Sequence, residues 1–125
     1  MCILDTHAAI WFLTDASHLS ETARNRIHDD DKVYVSIVSL WEIAIKQHIG
    51  KLELNSTIAG FADGCKEADI EILGITPEHL DETKKLPDIH NDPFDRLIIA
   101  QAKYEGLEIV TKDVTIPKYQ VPTIW

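Results

Sequence analysis

Four carboxylates in this chain stand where apolar strands end or helices begin. They are Asp5 after Met1-Cys-Ile-Leu, Glu42 in Ser39-Leu-Trp-Glu, Asp95 in Asn91-Asp-Pro-Phe-Asp, and Asp113 after Glu108-Ile-Val-Thr-Lys. A sheet that gathers such positions along one edge concentrates negative charge, and hard divalent cations make that charge tolerable. Oxygen-only donors suit Mg²⁺ or Mn²⁺, whereas a zinc site wants His or Cys at close spacing. The histidines His7, His18, His28, His48, His79 and His90 show no H-x₃-H or HExxH pattern. With two cations about 4 Å apart, one lowers the pKa of an attacking water and the other stabilises the leaving oxygen. The carboxylates hold metal, and one of them can orient the water as base. The chemistry implied is phosphodiester hydrolysis without a covalent enzyme intermediate.

Each acid also has a structural explanation. Glu42 completes Ser39-x-x-Glu42, a capping box, and could pair with Lys46 one turn on. Asp95 lies in a first helical turn, where negative charge favours the helix dipole, and Arg96 is adjacent. Asp92 reads as the N-cap before Pro93. Asp is a poor strand former, so a helix cap is the structural role open to Asp5, with Thr6 competing for it. For Asp113 the corresponding role is a turn after a strand. Ser36, Ser39, Thr6 and Thr111 are hydroxyls able to orient carboxylates, or else caps and strand positions.

The elements that must position these groups follow from pattern. Cys2–Asp5 is a short apolar strand, with Thr6 capping a helix over His7–Leu13. Ser20 opens a polar-faced helix reaching about Asp30, and Val33–Ser36 is the second strand. Ser39 caps a helix from Leu40 to about His48 that Gly50 stops. Leu54–Glu67 is a helix weakened by Gly60 and Gly64. Ile70–Ile75 is the third strand, and Pro77 starts a short helix ending before Pro87. Leu86–Asn91 is a loop. Asp92 and Pro93 open an apolar-faced helix ended by Gly106, and Glu108–Thr111 is the fourth strand. Tyr119–Trp125 is a candidate edge strand. Alternating strands and helices predict βαβ units and a mostly parallel sheet, whose ligands bind beyond the carboxyl ends of the strands. Asp5 and Asp113 lie there.

At 125 residues the chain is read as one domain spanning residues 1–125. No apolar run approaches the roughly 20 residues that span a bilayer. Nothing at the N-terminus resembles an export signal, so a cytoplasmic protein without membrane contact is expected. Cys2 and Cys65 are widely spaced and read as reduced core thiols rather than a disulfide or zinc site. The formal charge of −9 argues against broad, salt-driven nucleic-acid binding. It leaves room for cleavage at a metal-loaded pocket, or for a basic protein partner. Lys46, Lys51, Lys84, Lys85, Lys103 and Lys112 are candidates for touching RNA or for a solvated face.

The ordered stretches Leu4-Asp-Thr-His-Ala-Ala-Ile-Trp, Ser36-Ile-Val-Ser-Leu-Trp-Glu-Ile-Ala-Ile-Lys, Gly50-Lys-Leu, His90-Asn-Asp-Pro-Phe-Asp-Arg-Leu-Ile-Ile-Ala-Gln-Ala and Thr111-Lys-Asp resemble a PIN domain. The closer likeness is to a VapC-type toxin of a type II toxin–antitoxin pair. The resemblance implies a three-layer α/β/α fold around a mostly parallel sheet of four to five strands. It implies a Mg²⁺- or Mn²⁺-dependent endoribonuclease, a homodimer, and an antitoxin whose C-terminal segment blocks the acidic groove. Asp5, Glu42, Asp95 and Asp113 match the family's four acids, which are its catalytic and metal-binding residues. Asp92 matches a recurrent acid of the DPFD variant and is a candidate auxiliary ligand. Thr6 and Ser39 match hydroxyls near the metal, and Arg96 a position beside the site that touches phosphate or antitoxin.

Functions of other classes fit less well. A catalytically silent PIN-like binding module would not need an intact acidic set. A phosphoacceptor receiver domain needs an Asp near residue 55, where Asn55, Ser56 and Thr57 stand. A haloacid-dehalogenase-type phosphatase needs Asp-x-Asp after the first strand, and Asp5-Thr-His does not supply it. A flap-type DNA nuclease would need insertions and a basic surface that are missing here.

Overall fold

A computed structural model describes residues 1–125. Five parallel strands form one sheet in the order β3-β2-β1-β4-β5. They are β1 (Cys2–Leu4), β2 (Val33–Ser36), β3 (Ile70–Leu73), β4 (Glu108–Val110) and β5 (Thr123–Ile124). Helices α1 (Thr6–Thr14), α2 (Glu21–Asp29), α3 (Ile37–His48), α4 (Ile58–Glu67), α5 (Pro77–Lys84) and α6 (Pro93–Glu105) cover the two faces. No helix is long and apolar enough to cross a membrane.

Alternation along β1 decides the layering. Cys2 and Leu4 point to one side, where Ala8, Ala9, Ile27, Val35, Ile43, Phe61 and Cys65 close a core beneath α1, α2 and α4. Ile3 points to the other, against Ile98, Ile99, Ile109, Ile116 and Tyr119 beneath α6. A strand buried on both faces must be apolar throughout, and β1 is. The expected three-layer α/β/α fold is the one found. Cys2 and Cys65 are buried and unpaired.

The functional edge is set at β1. Its neighbours are β2 on one side and β4 on the other, with Leu4 opposite Val35 and Val110. The chain departs in opposite directions from this central strand, and such a switch point opens a crevice at the carboxyl ends.

Three expected helix starts move. The Asp5 N–H donates to Val110 O at 3.1 Å, so the sheet ladder runs up to this residue and α1 begins directly after it. Asp5 is therefore the N-cap, its Oδ1 accepting from Ala8 N–H at 2.8 Å, and Thr6 is the first helical residue. Likewise β2 passes into α3 without a loop, and Ser36 caps Val38 N–H at 3.1 Å. Ser39 therefore sits inside the first turn, and the proposed capping box with Glu42 does not form. The fourth helix starts at Ile58 under a Thr57 cap rather than at Leu54. Asp92 caps α6 through Phe94 and Asp95 N–H, with Pro93 in the first turn, as its sequence predicts. Gly106, at φ +71°, ends that helix in the left-handed conformation that suits glycine. The tail first makes a 3₁₀ turn over Ile116–Tyr119 and pairs only at Thr123–Ile124.

Candidate active site

Asp5, Glu42, Asp95 and Asp113 line a single cleft of about 640 Å³, together with Asp92, Thr6, His7, Trp11, Lys46, His90 and Lys112. The four anions come from four separate stretches of chain: the end of β1, the second turn of α3, the first turn of α6 and the segment after β4.

Asp5 is held from two sides. Its Oδ1 caps α1, and its Oδ2 accepts from the Thr111 hydroxyl. That hydroxyl also accepts from Asp113 N–H at 3.0 Å, so one threonine ties the two strand-end aspartates together. Glu42, 3% exposed, has both carboxylate oxygens engaged. Its Oε1 lies 2.6 Å from Thr6 Oγ1 and its Oε2 2.6 Å from Lys46 Nζ. Thr6 Oγ1 is also 2.9 Å from Ser39 Oγ. A hydroxyl carries one proton, so Thr6 donates to the carboxylate and accepts from Ser39. The pairing of Glu42 with Lys46 is thus present, but inside the cleft wall rather than on a solvated face.

Asp95 is the least committed acid. Its carboxylate meets one donor group, His90 Nε2 at 3.1 Å. The same nitrogen is 3.3 Å from Asp113 Oδ2. His90 Nδ1 accepts from Asp92 N–H at 3.1 Å. A backbone N–H can only donate, which fixes the imidazole proton on Nε2, pointing at both carboxylates. His90 is therefore a hydrogen-bond donor in this arrangement and not a metal ligand. A search for paired histidines misses it, and the readable signal is its spacing to Asp92 and Asp95 in His90-x-Asp92-x-x-Asp95.

The electrostatics record the crowding. Burial pushes the Asp5 carboxyl up, against the pull of Thr111, Ala8 N–H and His7, and Asp113 adds to the rise. Asp95 is pushed up to about 7 by burial and by the charges of Asp92, Asp5 and Glu42, with His90 opposing. Burial also acts upward on Asp113, but the Thr115 N–H and His90 outweigh it and hold that carboxyl low.

Arg96 points elsewhere. Its guanidinium donates to Pro87 O at 2.8 Å, to the Tyr119 hydroxyl at 3.2 Å and to Thr83 O at 3.3 Å. The Tyr119 hydroxyl in turn accepts from His90 N–H at 2.6 Å. The expectation that Arg96 faces phosphate gives way to another geometry. This residue braces the loop that delivers His90, because the nearby carbonyls and a buried phenol satisfy its donors. Of the candidate lysines, Lys46 and Lys112 reach the cleft, while Lys84 and Lys85 pair with Asp81 and Glu82 on α5.

A profile of the PIN domain matches residues 2–121. The chain belongs to the PIN domain family. It is 30% identical over 127 residues to Ribonuclease VapC22 of Mycobacterium tuberculosis, covering 98% of this chain and 97% of that protein. The solved VapBC2 of Rickettsia felis, bound to a DNA fragment from its promoter, superposes with a TM-score of 0.69 at 13% identity. That match covers 97% of this chain and 95% of the other. DNA-bound VapBC of Salmonella typhimurium also gives 0.69, at 17% identity and covering 98% and 97%. At such identities the two structures speak for the fold, and the VapC likeness drawn from the motifs is borne out.

The cleft suits a divalent cation. Its donors are carboxylate oxygens, and Asp95, crowded by other anions, has a free side of its carboxylate. Carboxylate oxygens of Asp95 and Asp113 lie within 4.8 Å of one another, close enough to share one cation.

Proposed function

We propose that this PIN domain is a metal-dependent endoribonuclease, the toxin of a toxin–antitoxin pair, hydrolysing RNA phosphodiesters with Mg²⁺ or Mn²⁺. The convergence of Asp5, Glu42, Asp95 and Asp113 on one cleft carries the reading. The ribonuclease name of the mycobacterial relative and the VapBC complexes among the solved neighbours support it. A cognate antitoxin and a homodimer belong to the same proposal.

Asp5, Asp95 and Asp113 would hold the cation, with Asp92 as an auxiliary and Glu42 contributing from the wall. Bound there, the cation supplies Lewis acidity and an acidified water. The protein groups do the rest. The Thr111 and Thr6 hydroxyls fix the carboxylate oxygens of Asp5 and Glu42. Lys46 balances the charge of Glu42, so that its burial leaves no uncompensated anion. In hydrolysis the water oxygen bonds to phosphorus as one phosphorus–oxygen ester bond breaks. Asp95, with a single protein donor, is the group free to take the water proton. The leaving oxygen is protonated from solvent.

Asp5→Asn tests the reading. Asparagine keeps an oxygen for Ala8 N–H but removes the charge. RNA cleavage should fall below detection with the melting temperature nearly unchanged, and excess EDTA should silence the wild type. Cleavage that survives either change overturns the metal mechanism.

A further inference from the structure

A row of rings leads out of the acidic cleft. His7 and Trp11 lie one turn apart on α1, with ring centroids 5.6 Å apart. Trp11 stacks on His18 at 5.5 Å and 29° between planes, and meets Trp125 at 6.0 Å. His7 and Trp11 line the cleft beside Asp5 and Lys112. Trp11 also lines a neighbouring hollow of about 860 Å³, bounded by α1, α4 and the segment 52–56. The indole therefore bridges the reacting end and a surface beyond it. From Asp5 to Trp11 is six residues, about 9 Å along the helix axis, which is within reach of a nucleotide next to the scissile phosphate.

Charge gives this row its meaning. The chain carries −9, and of the two lysines in the cleft, Lys46 is already bonded to Glu42. Phosphate neutralisation, the usual source of nucleic-acid affinity, is scarce here. Stacking on an aromatic face does not depend on charge and accepts any base. It does require an unpaired base, because an A-form duplex hides the base faces from side chains.

Resting on the nuclease reading, we propose that His7, Trp11 and His18, extended by Trp125, are a stacking platform for unpaired bases flanking the cut. Trp11 and His18 act in substrate binding and take no part in the bond-breaking step.

The test uses an RNA hairpin with an unpaired loop containing 2-aminopurine, and a blunt duplex of the same sequence. Trp11→Leu keeps apolar volume without a ring and Trp11→Phe restores one. His18→Ala alters an exposed side chain outside the acidic cleft, so it reports even if Trp11→Leu fails to fold. Trp11→Leu should raise KM for the hairpin about tenfold with kcat within about twofold, and Trp11→Phe should recover most of that loss. His18→Ala should raise KM by a smaller factor in the same way, and the wild type should leave the duplex uncut. A folded Trp11→Leu or a His18→Ala with unchanged KM, or equal cleavage of hairpin and duplex, overturns the platform. Unchanged KM with weakened binding of a protein inhibitor overturns it too, assigning the row to that partner. If wild type cleaves no RNA with either metal, the nuclease reading has failed. The platform is then judged from 2-aminopurine quenching in EDTA, where wild type should exceed Trp11→Leu and equal signals overturn it.

Discussion

Neutralising Asp95 in the metal-free protein should stabilise it, by an amount that grows with pH. Its carboxyl is raised from 3.8 to about 7 by burial and by Asp92, Asp5 and Glu42. The folded chain therefore keeps a proton that the unfolded chain releases as pH climbs past 3.8. This contribution to stability is fully present below that pH and is lost as pH rises through about 7. At about 1.4 kcal/mol per pK unit, the lost stability has a ceiling of roughly 4 kcal/mol. Water entering the open cleft and side-chain relaxation bring this to on the order of 2 kcal/mol. For a chain of this size that is roughly 6–10 °C in Tm. Asp95→Asn should thus match wild type at about pH 4 and exceed it by that margin at about pH 8, in urea or thermal unfolding with EDTA. Adding Mg²⁺ should raise wild type more than the variant, since only wild type retains the full anionic set. A difference that does not change with pH, or a variant less stable than wild type at about pH 8, would refute the crowding argument.

Thr6→Val removes a donor from buried Glu42 while keeping the shape, and should cost about 1–3 kcal/mol in urea unfolding. Arg96→Ala should free the loop that presents His90. Hydrogen exchange at the amides of Ile89 and His90, both bonded to the Tyr119 hydroxyl, should quicken, while RNA cleavage falls far less than in Asp5→Asn.

Glu42 came from the family motif, its local signal being a capping box that does not form. The strand–helix alternation and the placement of Asp5, Asp92, Asp95 and Asp113 were legible because they rest on local signals. Those signals are apolar runs, a Pro after a capping Asp, and a Gly after an apolar face. The caps of α1 and α3 were not. Whether a strand flows straight into a helix is decided by pairing with a distant neighbour, here Val110 for Asp5. The role of Arg96 was hidden for the same reason. Its partners are Thr83, Pro87 and Tyr119, and nothing in Asp-Pro-Phe-Asp-Arg announces them. His90 escaped because a histidine that donates to carboxylates leaves no metal-ligand spacing. The aromatic row is half visible, with His7 and Trp11 at helical spacing, whereas Trp125 joins only after β5 docks.

The bond from Thr111 to Asp5 spans 106 residues of sequence, and Asp113 arrives later still. A polypeptide emerging from a ribosome therefore owns an incomplete reaction centre until residue 113 has been made and has folded back onto the first strand. If the centre cuts RNA, the translation machinery that makes this chain is shielded from it until then. The hazard begins when that last segment docks, the moment at which a waiting inhibitor would have to act.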